Sequence, residues 1–375
     1  MKVTLKKSDL LASINTAGRA VSVKTTMPIL QCLLIKADDN GVSISANDME
    51  LAIETKISSE KCSVLETGTI AVEAKLFSDI IRKISYEDAA DVTISSDGTL
   101  VEITSESSLF RIQEKDPEQF PELPQMREGH RLYMSQFTLK EVIKNTVFSI
   151  ASNDSNKMMT GELFEVRGSN LRVIALDGHR IAIVNTELRD SFDDVNAIIP
   201  GKTLNDISKI VEGASDKDVE VYFDDNYVSF RFEDTVMVSR LIDGEFFRID
   251  SMLSNDYLTK ITVNKRELLN SVERSSILIS ETDKKPLIFK LEDDSLNLRV
   301  NSPTGYLDDV LRVEKGGKDI MIAFNPKFLL DALRVIDDEK VDLYMTTPKA
   351  PCFIRDENKK YIYLILPVNF NPNAY

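Results

Sequence analysis

At 375 residues the chain is long enough for two or three domains, and its 42% apolar content suffices to give each a core. A net charge of −15 opposes an evenly basic coat for nucleic acid or for an anionic membrane. There is no run of about 18 apolar residues and no apolar signal core in MKVTLKKSDL; the scattered Cys32, Cys62 and Cys352 and two histidines match no zinc or disulfide pattern, which predicts a cytoplasmic protein without metal, cofactor or membrane contact.

The first predicted element is VTLKKSDLLASI from Val3, where apolar alternation passes into helical spacing: a strand running into a helix. VSISANDMELAI reads as a strand entering a polar turn. VEAKLFSDIIRKI from Val72 reads as a short strand, a turn and a helix. VTISSDGTLVEIT has the alternation and Asp-Gly turn of a hairpin, and SSLFRIQ is a further strand. DPEQFPELPQMREGH is Pro-rich and charged, as linkers are. The same order then recurs. LYMSQFTLKEVIKN, LRVIALDGHRIAI, IPGKTLNDISKIV and VEVYFDDNYVSFRF lead to a second boundary at FRIDSMLSND. A third round runs through ITVNKRELLNSV, LNLRVNSPTGYLDD, AFNPKFLLDALRVI and YIYLILPV.

The spacing of about 125 to 129 residues exceeds solenoid periods and marks a duplicated domain. The pattern predicts an α+β fold of three repeated domains, each with two helices and about eight strands in antiparallel sheets. Their expected limits are 1–122, 128–250 and 255–375.

Basic residues gather on the six repeat helices. The first helix of each repeat carries Lys6, Lys7 and Asp9, then Lys140, Glu141 and Lys144, then Lys265, Arg266 and Glu267. The second helices carry Lys75, Asp79, Arg82 and Lys83, then Lys202, Asp206 and Lys209, then Lys327, Asp331 and Arg334. The sum is about +7, leaving about −22 elsewhere. Helices accept Lys and Arg readily, which is the plain reading. The functional reading is a basic helical surface for phosphates, with acidic strands turned away. Such contacts ignore base identity and weaken steeply with salt.

The turn Asp177-Gly178-His179-Arg180 occurs in one copy only; the matching turns read NDMEL and NSPTGY. Catalysis by His179 would need a nucleophile, metal or cofactor, and no motif supplies one. Asp193-Asp194 and Asp224-Asp225 read as strand-connecting turns rather than as the acidic constellation of a metal-dependent hydrolase.

TMPILQCLL near Thr26, FPELP at Phe120, ALDGHRIA, RLIDGEF at Arg240, FNPKFLLDAL at Phe324 and YIYLILPV at Tyr361 occur in an order and spacing that closely resemble the bacterial beta sliding clamps, the processivity subunits of DNA polymerase III, over essentially the whole length. The resemblance implies a non-enzymatic, homodimeric ring of head-to-tail protomers, with helices lining the hole around duplex DNA. It implies as partners the DNA polymerase III alpha subunit, the clamp loader, and other polymerases and repair proteins bearing a clamp-binding peptide. A peptide-binding scaffold that does not encircle DNA is the alternative.

Carried onto this sequence, the resemblance implies a peptide pocket between the second and third domains. Its residues are Met159, Leu176, Gly178, His179, Arg180, Ile181, Phe247, Asn325, Phe328, Pro351, Leu364, Ile365, Leu366, Pro367 and Val368. It implies DNA contacts at Lys24, Asn153 and Lys157, to which the helix charge adds Lys202 and Lys209. It implies a dimer interface of Phe110 and Ile112 against Ile277 and Leu278, with Lys75 at the rim. Two features depart from the family pattern: Phe247 stands where relatives usually carry Pro, and NFNPNAY extends the chain beyond Val368.

Overall fold

The computed structural model describes residues 1–127, 129–152, 156–279 and 285–371. In the first copy β1 (Lys2–Lys6) leads into α1 (Lys7–Ala17). β2 (Cys32–Asp38), β3 (Gly41–Asn47), β4 (Leu51–Ser58), β5 (Cys62–Glu66) and β6 (Gly68–Glu73) follow. α2 (Ala74–Lys83) then precedes β7 (Asp91–Ser96), β8 (Leu100–Ser105) and β9 (Ser108–Gln113). The second copy holds β10 (His130–Ser135), α3 (Gln136–Lys144), β11 (Gly161–Leu176), β12 (Arg180–Pro200), α4 (Gly201–Ile210), β13 (Asp218–Phe223), β14 (Tyr227–Phe232) and β15 (Thr235–Arg240). The third begins with β16 (Thr259–Asn264), α5 (Lys265–Ser276), β17 (Leu287–Glu292), β18 (Ser295–Ser302) and β19 (Gly305–Arg312). It ends with β20 (Glu314–Gly317), β21 (Ile320–Phe324), α6 (Pro326–Val335), β22 (Lys340–Met345), β23 (Cys352–Arg355) and β24 (Tyr361–Ile365).

Among the described residues each copy therefore has two α-helices, at the expected places. The described strands number nine, six and nine, against an expectation of about eight. The second copy has fewer because β11 and β12 each run through the length of several strands elsewhere. The register of that ladder slips on both sides of Gly168, whose φ of +59° suits glycine, so a bulge stands where the other copies break. Asp193 and Asp194 lie within β12 beside this bulge, correcting their expected place in a connecting turn; Asp224 does open a turn, accepting from the N–H groups of Asn226 and Tyr227.

The chain gathers into two compact units: Met1–Phe137 with Asp206–Leu241, and Thr138–Asn205 with Ile242–Tyr375. Sheet pairing explains why the second copy is divided. In the first unit an eight-stranded sheet runs β10-β13-β14-β15-β4-β3-β2-β6, joined where Met237 of β15 faces Ile53 of β4. In the second unit a seven-stranded sheet runs β11-β12-β24-β23-β22-β16-β20, joined where Ala182 of β12 faces Tyr363 of β24. At both joins, the last strand of one copy continues the sheet of the copy before it.

The remaining sheets are β5-β1-β7-β8-β9 and β19-β18-β17-β21. β9 matches β15 and β24 by position, and β19 matches β4 and the start of β12. Those counterparts are paired on both sides; β9 and β19 are edges. Their exposed apolar side chains, Leu109 and Phe110 on β9 and Tyr306 and Val310 on β19, line strands with open backbone groups.

Helix starts follow local chemistry. Glu73 caps α2 and Asn264 caps α5 through side-chain oxygens. Asn325 caps α6, with Pro326 in the first turn. By these bounds the net charges of α1 to α6 are 0, +2, +1, +1, +1 and +1. The basic bias holds except on α1. Lys6 belongs to β1, 2.9 Å from Asp91, and Lys7 is buried, donating to the Ser85 carbonyl and to Asp88.

Candidate peptide pocket and interface edges

The hairpin between β11 and β12 closes with Leu176 opposite Ile181. Asp177 Oδ1 accepts from the backbone N–H groups of His179 (3.0 Å) and Arg180 (3.1 Å). Gly178 takes φ +82° with open space around it, so backbone conformation rather than crowding calls for glycine. The Asp177–His179 bond is thus made by the main chain and not by the imidazole. The exposed ring lies 5.9 Å from that of Phe328. Among the described residues no three His, Cys, Asp or Glu side chains converge to hold a metal ion.

Arg180 turns the other way. Its side chain is 7% exposed: Nε donates to Asp177 Oδ2 at 2.9 Å, Nη1 to Asp331 Oδ2 on α6 at 2.6 Å, and Nη2 to the Phe148 carbonyl. The guanidinium also lies over the rings of Phe328 (4.7 Å) and Phe148 (5.4 Å). Arg180 is therefore a buried tie between the second-copy turn and the third-copy helix. Asp206, at the matching depth of α4, holds Arg19 at 3.3 Å in the same manner.

The register Ile181↔Leu364 joins the hairpin to the last strand. Leu176, Ile181 and Leu364 share a buried cluster with Ile174, Phe246 and Ile362, and Met158, Met159 and Phe247 pack at its margin. Phe247 meets Phe246 edge-on with ring centres 5.8 Å apart, so the aromatic extends this apolar floor. Ile365 does not line it: strand alternation turns Ile365 and Tyr363 into the third-copy core, where each is 1% exposed. Leu366 is half-exposed, its N–H donating to the His179 carbonyl at 2.9 Å. Pro351, Pro367 and Val368 are half-buried, and Pro351 and Leu366 flank the end of the β23–β24 ladder, where Cys352 faces Ile365. Asn325 is engaged as the α6 cap, and Phe328 follows one residue after Lys327 on the same first turn.

Behind this site Glu162 is fully buried. Thr146 Oγ1 lies 2.8 Å from its Oε2 and 2.7 Å from the Val142 carbonyl, while Oε1 has no partner among the described residues. Thr146 has one hydroxyl hydrogen for two acceptors, so a protonated Glu162 supplies the other. Burial pushes the Glu162 pKa up to about 8 from its ordinary 4.5. Between those values the folded state holds a proton that the unfolded chain has released. Stability is therefore lost as pH rises from 4.5 through about 8, by about 3 kcal/mol at neutrality. Glu162→Gln is expected to melt higher than wild type at pH 7, with the gap closing toward pH 5. A gap that does not change with pH would show that the carboxyl is not neutral in the fold.

Ile277, just past α5, is 81% exposed, whereas Leu278 is half-buried against the third-copy core. On β9, Phe110 is exposed and Ile112 is buried. Lys75 is exposed at the start of α2. Lys24 is exposed in the segment between two 3-10 turns, and Lys157 opens the 3-10 turn Lys157–Thr160. Lys202 and Lys209 are exposed on α4, two turns apart. Asn153 lies outside the described residues.

Comparison with known proteins assigns the fold. Residues 1–124, 133–247 and 250–369 match, in turn, the N-terminal, central and C-terminal domains of the DNA polymerase III beta subunit. The beta sliding clamp of Bacillus subtilis is 31% identical over 98% of this chain and 99% of its own. The chain belongs to the DNA polymerase III beta subunit family. Its fold is therefore that of three clamp domains. A crystal structure of the Bacillus subtilis DNA polymerase sliding clamp superposes with a TM-score of 0.94 over 99% of this chain and 100% of that one. One from Eubacterium rectale, provisionally named a DNA polymerase III beta subunit, is 50% identical with a TM-score of 0.94 over the same shares. Sequence reasoning missed three residues that pack or bond at the candidate site: Phe148 and Asp331, which hold Arg180, and Phe246, in the cluster with Leu176, Ile181 and Leu364. Asp331 had a signal, since an Asp recurs at this depth in all three second helices.

Proposed function

We propose that the protein is a DNA sliding clamp: a non-catalytic, homodimeric ring that encircles duplex DNA, slides without sequence preference and tethers the replicative polymerase for processive synthesis. Its place is the cytoplasm, and no described helix is long and apolar enough to cross a membrane. The proposed domains are 1–122, 128–250 and 255–375. One observation carries the ring. The last strand of the second and third copies each continues the preceding copy's sheet, which leaves β9 and β19 as the two unmatched members of the series. Pairing β9 of one protomer with β19 of another repeats the internal join. Doing so twice about a twofold axis consumes both edges and closes the assembly. Phe110, Ile112, Ile277 and Leu278, with Lys75 at the rim, are the side chains proposed to meet there. Light scattering tests this: a mass twice the 42.2 kDa chain is expected, and a lone chain at working concentrations contradicts it.

Lys24, Asn153, Lys157, Lys202 and Lys209 are the proposed phosphate contacts. They are few, so each is weak and salt-sensitive, and retention comes from enclosure. A scaffold that never encircles DNA would leave both open edges and the basic helices without a role.

The cluster of Leu176, Ile181 and Leu364, walled by His179, Phe328 and Leu366, is proposed to take the clamp-binding peptides of the DNA polymerase III alpha subunit, the clamp loader, and other polymerases and repair proteins. An apolar floor with a few polar directors is the ordinary form of such a pocket. His179 and Leu366 are its two exposed walls. His179→Ala with Leu366→Ala is expected to weaken a partner peptide roughly 30-fold or more while leaving the dimer mass unchanged. Unaltered peptide affinity would sink the pocket assignment.

A further inference from the structure

A second groove of about 490 Å³ lies on the third domain, beyond the pocket. Leu258, Ile320, Met321 and Pro348 give it an apolar lining, and Val368 and Phe370 of the chain's end form its near wall. The pocket and the groove share Val368, whose N–H donates to the Ala323 carbonyl at 2.8 Å. That bond shows which way the β21 edge faces. Among the described strands β21 pairs only with β17, so Ala323, and by strand alternation Met321, direct their backbone groups outward. An extended segment can therefore add to the edge at Met321.

The groove is also positively charged. Lys318 and Lys349 stand exposed at its walls, and neither makes an ion pair with a described residue, in a chain of net charge −15. The acid beside them, Asp319, is held by Lys315. We infer that partner peptides continue past the pocket into this groove as an extended acidic segment, adding backbone bonds along β21 and carboxylates to Lys318 and Lys349. This rests on the pocket reading above, since the anchor seated there brings the flank to the groove. Fully extended, the four residue steps from Leu366 to Phe370 reach at most about 13 Å, a span that four peptide residues cover. Strand addition supplies affinity in this mode and the charges supply preference.

Fluorescence anisotropy on the full chain at low salt separates the possibilities with three synthetic peptides. One carries a short anchor containing Leu and Phe, one adds four glutamates at each end, and one adds four serines at each end. The glutamate form is expected to bind about five-fold more tightly than the serine form. That advantage should vanish at 0.5 M salt and in Lys318→Ala/Lys349→Ala, while the bare anchor binds wild type and variant alike. Equal affinity for glutamate and serine flanks overturns the inference and leaves the pocket standing. So does an advantage that survives the double variant, or one gained only after deleting Asn369–Tyr375, which would make the chain's own end the occupant. If the bare anchor fails to bind wild type, the pocket reading falls and this one with it.

Discussion

Arg180→Ala is expected to destabilise the second unit by about 3–5 kcal/mol, lowering its melting temperature by roughly 10 °C, and to abolish peptide binding as well. The reason is what the side chain leaves behind. Asp177 and Asp331 are largely buried, and both lose their cation, while the Phe148 carbonyl loses its donor. Truncating one member of a buried ionic set leaves the others desolvated and unpaired, which costs more than the set contributes against an apolar replacement. The same deletion frees the Asp177 turn from α6, so His179 and Phe328 lose their fixed separation. Arg180→Lys is expected to rescue little, because one ammonium cannot serve three acceptors in the fork geometry seen here. Calorimetry paired with peptide titration checks both halves. A variant that melts like wild type would show that the three bonds are dispensable.

Phe110→Asp combined with Ile277→Asp is expected to yield a folded single chain. Both side chains are exposed within one protomer, Ile277 at 81%, so neither change opens that protomer's core. In the proposed ring each is buried, and a carboxylate there is desolvated without a partner. A loss of about 2 kcal/mol at each interface is about 30-fold, and the two interfaces of a closed ring compound it to roughly 1000-fold. Light scattering should give the mass of one chain, with circular dichroism and melting close to wild type. A persisting dimer would move the interface elsewhere.

Much of this was legible in the sequence because it is local. All six helices lie where strand-to-helix transitions recur, and the Asp177–Arg180 turn can be read from an Asp and a Gly placed as turns require. The sheet joins were not legible. Period-two alternation says that β15 and β24 have two faces, but not that their edges continue a neighbouring copy, since edge pairing joins residues 180 or so apart, as Thr235 and Thr55 are. Ile365 failed for a related reason: in LILPV every residue is apolar, so the pattern cannot tell the pocket face from the core face. Lys6 and Lys7 misled because a basic residue at a strand–helix junction reads alike whether it faces solvent or, like Lys7, reaches a buried carbonyl. That Arg180 is buried was not legible either, because its burial depends on Asp331 and Phe148, which are distant in sequence.

Enclosure is tested most directly on circular DNA. Protein loaded by a clamp loader onto a nicked circle is expected to stay bound through a wash at 0.5 M salt or above, where phosphate contacts alone would fail, and to be lost once the circle is cut. Release from the intact circle at that salt, or equal retention on circular and linear DNA, would contradict a closed ring around the duplex.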